Sequence, residues 1–70
     1  MDSQDQLAKI FKKARLKVKL TQAQVAKKAD ISVNYYARIE RGEVNPTIDV
    51  VDSIATALKM NLKFPLGKSK

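Results

Sequence analysis

The stretch from Gln22 to Arg41 constrains this chain more than any other. It holds two short helical segments joined by a turn too short to let them lie antiparallel, so the chain must bend sharply there. Two helices that cross steeply and closely need a small residue on the first at the contact, and Ala26 stands in that place. Val25, Ala29, Ile31, Tyr36 and Ile39 supply the apolar closure. The pattern is that of a helix-turn-helix, with 22–41 as its bounds.

The surrounding punctuation supports these limits. Thr21 can cap the second helix, since its hydroxyl accepts from a backbone N–H two or three residues on, and Gln24 can reach back to complete a capping box. The run stops at Asp30, one of the few residue types that tolerates a left-handed backbone. Ser32 caps a third helix from Val33 to about Arg41, and Gly42 stands where a C-terminal glycine is favoured. Before the pair, Leu7, Phe11, Ala14 and Val18 recur at helical spacing, flanked by Ile10, and predict a first helix over 7–18. Leu16 projects on the opposite side, so it is exposed, contacts a partner, or marks an early helix end. After the pair, Thr47 can cap a fourth helix with Ile48, Val51, Ile54, Ala55 and Leu58 as its stripe and Asp49 in its first turn. From Met60 the period changes to alternation through Leu62, Phe64 and Leu66, the period of a strand, with Pro65 demoting it to an edge or a non-strand. Residues 67–70 are expected to fray.

Composition narrows the function. The 70 residues carry 44% hydrophobic and 30% charged side chains, a globular balance with room for a single domain over 1–70. Fourteen Lys and Arg against seven Asp and Glu leave +7, which points to an anionic partner: nucleic acid, a membrane surface or an acidic protein. Without cysteine or histidine the usual zinc ligand sets cannot be assembled, and the commonest general base is absent. The two glycines, Gly42 and Gly67, form no phosphate-cradling loop. These absences argue against an enzyme, and no metal or cofactor is expected. The polar amino end leads into no apolar segment, and no run of about 18 apolar residues occurs. A cytoplasmic protein is the expectation.

Around the third helix, at about 100° per residue, Tyr36 and Ile39 point inward, while Val33, Asn34, Ala37, Arg38 and Arg41 share an outward sector of roughly 140°. A short polar and basic face of this kind fits the major groove of B-DNA. There Asn can pair with adenine, Arg with guanine, and Val or Ala can meet a thymine methyl. The alternative is an ordinary solvated face.

The runs Leu20-Thr-Gln-Ala-Gln-Val-Ala-Lys-Lys-Ala, Ile31-Ser-Val-Asn-Tyr-Tyr-Ala-Arg-Ile-Glu-Arg-Gly and Asn45-Pro-Thr together resemble the phage-repressor and Xre family of bacterial helix-turn-helix regulators. The resemblance extends over roughly 7–62. It implies an all-α, lambda-repressor-like DNA-binding domain of four helices, followed here by a short C-terminal segment. It also implies a sequence-specific regulator of transcription, a repressor in the cytoplasm at the bacterial nucleoid, that sets its third helix in the major groove of double-stranded DNA. Carried over by position, Val33, Asn34 and Arg38 become base contacts, and Ala37, on the same outward face, is a further candidate. Gln22, Ser32, Tyr35 and Arg41 become contacts to the DNA backbone, and Lys28 is a further candidate for such a contact. Arg15 and Glu40 match an ion pair that ties the first helix to the end of the third.

Several residues depart from the family. Val33 stands where an amide or basic residue is frequent, which shifts readout towards Asn34 and Arg38. Lys19, Asp30 and Lys59 stand where glycine is usual, so either the backbone differs or strain is tolerated. Tyr36 replaces a smaller aliphatic residue, and its hydroxyl must reach solvent or a partner.

Regulators of this kind bind inverted repeats as two-fold dimers. Met60, Leu62, Phe64 and Leu66 are the candidate dimerisation residues: they pair as a strand across the dimer axis, or Leu62 and Phe64 simply pack on the core. A different function is that of an antitoxin-type interaction module which also binds its own operator, with a toxin as protein partner. Membrane association through 9–19 is weaker, because Phe11 is the only aromatic anchor on that helix, and no small-molecule ligand is evident.

Overall fold

The computed structural model describes residues 3–60. Among them it contains four helices and no strand: α1 (Ser3–Lys17), α2 (Gln22–Ala29), α3 (Val33–Glu40) and α4 (Ile48–Ala57). Three helix starts follow the expected chemistry. The Thr21 hydroxyl accepts from Gln24 N–H, and the Gln24 side chain accepts in return from Thr21 N–H, closing a capping box. Ser32 caps α3 through Tyr35 N–H, and Thr47 caps α4 through Val50 N–H.

The helix ends share one device. In each, a residue two or three places past the helix donates to the carbonyl five residues back, and its predecessor donates to the carbonyl three residues back: Leu20 to Arg15 and Lys19 to Leu16, Ile31 to Ala26 and Asp30 to Lys27, Glu43 to Arg38 and Gly42 to Ile39, Met60 to Ala55 and Lys59 to Thr56. These are Schellman turns, whose pivot residue must be left-handed. Gly42 adopts this at φ 74°, but Lys19, Asp30 and Lys59 do so without being glycine, at φ 60°, 61° and 59°. The backbone therefore keeps its shape at Lys19 and Lys59, and the strain is tolerated.

Packing closes around α2, which lies against both α3 and α4, while α1 packs chiefly on α3. Ala26 is buried at the centre with Val25 and Ala29, and Phe11, Tyr36, Ile39, Ile54 and Leu58 complete the core. Small Ala26 lets the α2 and α3 backbones approach closely enough for the turn at 30–32 to join them.

Three expectations need correction, and Leu16, open between three readings, is placed. The first helix starts at Ser3 rather than Leu7, because Gln4 Nε2 donates to the Gly42 carbonyl at 3.1 Å and draws another turn onto the loop after α3. On α1, Ala8 rather than Ile10 joins Phe11 inside, leaving Ile10 and Val18 exposed, since α1 leans mainly on one neighbour. Leu16 lies within α1 and is exposed, so it does not end the helix. Ile48 is exposed where the chain enters α4 from a solvated loop, and Ala57 is buried instead. Of the C-terminal segment only Met60 falls within the described residues, partly buried against the core; Leu62, Phe64, Leu66 and the 67–70 tail lie outside them.

Gly42 and Lys59 should respond oppositely to substitution. A Cβ at Gly42 would come 2.7 Å from Asp5 Oδ1 at a positive φ, so Gly42→Ala should lower the melting temperature. Lys59→Gly relieves a left-handed side chain worth about 1 kcal/mol and should raise it by about 4 to 8 °C. Thermal unfolding followed by circular dichroism checks both signs.

Candidate nucleic-acid interface

The outward face of α3 is open along its length. Val33 is 45% exposed, Asn34 and Arg38 are exposed and Ala37 is half-buried, while Tyr36 and Ile39 on the inward face are at 0% and 1%. Ser32 sits at the start of this face; its oxygen is engaged as the cap, which leaves its own O–H to donate outward. The Tyr35 ring rests partly on the core at the edge of the same face.

Gln22 is held by a buried cluster at the other end of α3. The Glu40 carboxylate receives Arg15 Nε at 2.7 Å, Arg15 Nη2 at 3.1 Å and Gln22 Nε2 at 3.0 Å. Arg15 spends Nη1 on the Leu20 carbonyl at 3.0 Å. Arg15 and Glu40 thus meet as a bidentate pair between α1 and the end of α3, with side chains 12% and 3% exposed. Burial alone would push the Glu40 carboxyl up, but Arg15, then Tyr36 and Gln22, outweigh it and hold the carboxyl below its ordinary range. One amide hydrogen of Gln22 is committed to Glu40, and the second remains for an outside acceptor.

Tyr36 reaches the same cluster from below. Its hydroxyl lies close enough to Glu40 for each to shift the other's ionisation, yet it finds no partner at hydrogen-bonding geometry. Burial first, and then the Glu40 charge, raise the phenol's ionisation well above its ordinary value. The expected solvent contact or partner for this hydroxyl is therefore missing from the described residues.

Two further residues alter the sequence-based picture. Lys28 is not gathered with the others: it lines a small open pocket with Val18, Leu20, Ala57 and Lys59, away from the Gln22 end of α2. Glu43, passed over in the motif, stands between the two arginines of the α3 face. Its Oε2 lies 2.7 Å from Arg41 Nε, and its Oε1 lies 3.2 Å from Arg41 Nη2 and 3.5 Å from Arg38 Nε. A signal for this was available. With Gly42 as the pivot of a Schellman turn, residue 43 folds back over residue 38, where an apolar pair is customary and a Glu–Arg pair is found here.

Among the described residues no group of acidic side chains could hold a metal ion, and no helix is long and apolar enough to cross a membrane. A helix-turn-helix family model matches residues 11–64, which spans the whole arrangement from Phe11 through α4. The chain belongs to this helix-turn-helix family, the Xre and lambda-repressor-like group. Within it, the chain is similar to the immunity repressor protein of Bacillus phage phi105, 39% identical over 58 residues. That match takes in 83% of this chain but only 40% of the length of the phage protein. No solved structure matches the chain.

The buried cluster makes this helix-turn-helix domain sensitive to acid. A carboxyl held below its unfolded value, about 4.3 for Glu, contributes stability above that pH and loses it as pH falls through the folded value. Chemical denaturation across pH 2 to 7 should show that loss, and it should be blunted in Glu40→Gln. Arg15→Ala, which strands the carboxylate, should cost about 3 kcal/mol at neutral pH. Tyr36→Phe removes a hydroxyl that helps to hold the Glu40 carboxyl down, so the acid-induced loss of stability should begin at higher pH than in the wild type.

Proposed function

We propose that this chain is a sequence-specific, double-stranded DNA-binding regulator of transcription, acting as a repressor on inverted repeats as a dimer with α3 in the major groove. The observation that carries the reading is the division of α3. Tyr36 and Ile39 are sealed in the core, while Val33, Asn34, Ala37 and Arg38 line an open polar face beside Gln22 and Arg41. The net charge of +7 adds long-range attraction for a polyanion, and family membership and the phage repressor relative support the same function.

The roles follow from reach and chemistry. Asn34 and Arg38 can hydrogen-bond to base edges, and Val33 and Ala37 offer methyl groups to thymine. Gln22, at the first turn of α2, directs its free amide hydrogen and the helix's positive end towards a phosphate, with Ser32, Tyr35 and Arg41 flanking the same strand path. Arg15 stays with Glu40 and acts by holding Gln22 in place. A single α3 spans only a few base pairs, so two copies on half-sites about 10 base pairs apart supply the length of site that specificity needs.

Selection of bound duplexes from a random pool, followed by titration in increasing salt, tests the whole reading. With about 6 to 10 phosphates neutralised per dimer, affinity should fall about 10³- to 10⁵-fold between 50 and 200 mM salt. No duplex binding at low salt would overturn it. Arg38→Ala should relax preference at one base pair at a cost of about 1 to 3 kcal/mol, and Gln22→Ala should weaken all sequences alike.

A further inference from the structure

The Glu43 carboxylate occupies the edge of the α3 face in a way that does little for folding. Its partners Arg38 and Arg41 are 54% and 56% exposed, and Glu43 itself 46%, and exposed pairs of this kind contribute on the order of 0 to 1 kcal/mol. Yet the position is well fixed. Glu43 N–H is bonded to the Arg38 carbonyl at 2.9 Å by the turn that ends α3, so the carboxylate is anchored to the helix it faces.

Its contacts with the two guanidiniums differ. Arg38 is held more loosely, with Nε 3.5 Å from Glu43 Oε1, and its terminal nitrogens supply a fork of the kind that pairs with guanine O6 and N7. Arg41 is engaged through Nε at 2.7 Å and Nη2 at 3.2 Å, which occupies one whole edge and offsets its charge. The Arg41 bonds in turn hold the Glu43 carboxyl below its ordinary range, so it stays ionised at neutral pH.

We propose that Glu43 is a specificity-determining residue of the α3 surface: it aims Arg38 by its Nε edge and withholds Arg41 from unselected phosphates. This rests on the DNA-binding reading above. A negative charge at the rim lowers attraction to every duplex alike, whereas an oriented Arg38 fork favours only sequences with guanine in register. The ratio of selected to random binding is thereby raised by the aiming of Arg38, while the rim charge keeps binding to every duplex weaker.

The test compares wild type and Glu43→Gln, an isosteric change, on three probes: the selected duplex, a random-sequence duplex and heparin. Removing the charge frees about one more phosphate contact. At 0.1 M salt that corresponds to about eightfold tighter binding to random duplex and heparin, with a salt slope steeper by about 0.9. The selected-to-random ratio should fall as well, because the Arg38 fork loses its orientation towards guanine. Adding Arg41→Ala to Glu43→Gln should return random-duplex and heparin affinity to the wild-type level. Coincident melting curves establish that the variants are folded.

Unchanged binding of Glu43→Gln to random duplex and heparin overturns the withholding of Arg41. An unchanged selected-to-random ratio overturns the aiming of Arg38. Heparin binding by the wild type without any duplex binding at low salt overturns the DNA reading itself, and the specificity role with it.

Discussion

A carboxylate at 3% exposure is an unfavourable thing to enclose, and Glu40 is enclosed because three donors converge on it. Two come from Arg15 on α1 and one from Gln22 on α2, while Glu40 itself ends α3. Three helices are thereby registered at one point. The remaining Nη1 of Arg15 takes the Leu20 carbonyl, which fixes the turn leading from α1 into the cap at Thr21. Removing either charge would leave the other buried without compensation, which costs more than the intact pair contributes. The start of α2 and the end of α3 thus cannot drift apart without breaking an ionic contact in a dry setting.

The opposite end of the helix pair is governed by shape. At the turn, Asp30 in its left-handed conformation and the Ile31 to Ala26 hydrogen bond fold the chain back within three residues. Ala26 leaves no side-chain bulk to hold the helices apart, and Ile31 packs over the join. Polar anchoring at Glu40 and close packing at Ala26 together hold α3 at both ends. A helix of eight residues, too short to persist alone in water, is thereby made a rigid platform for the side chains it turns outward.

Local chemistry was readable from the sequence because its partners lie within three or four residues. Thr21 with Gln24, Ser32 with Tyr35 N–H, and Gly42 as a left-handed pivot all follow from hydrogen bonds that the chain makes with its near neighbours. Long-range choices were less so. The extra turn of α1 depends on Gln4 meeting a carbonyl of residue 42, far along the chain, and the exposure of Val18 and Ile48 depends on where neighbouring helices end. Apolar spacing identifies a stripe but not which part of it finds a neighbour. The Arg15–Glu40 match was carried by family resemblance; its link to Gln22, and Glu43 between Arg38 and Arg41, became visible only once the turns had placed these side chains together.

Tyr35 and Tyr36 are neighbours in sequence but belong to different compartments, one at the rim of the open face and one sealed beside Glu40. The chain has no tryptophan and only these two tyrosines, so its ultraviolet emission arises from this single pair. Tyr36, at 0% exposure, is shielded from a dissolved quencher while the helices stay registered. Tyr35 stands half-buried at the edge of the open face and meets whatever approaches α3. The protein thus carries two optical channels without labelling: quenching that reaches Tyr36 reports separation of the helices, and shielding of Tyr35 reports occupancy of the surface.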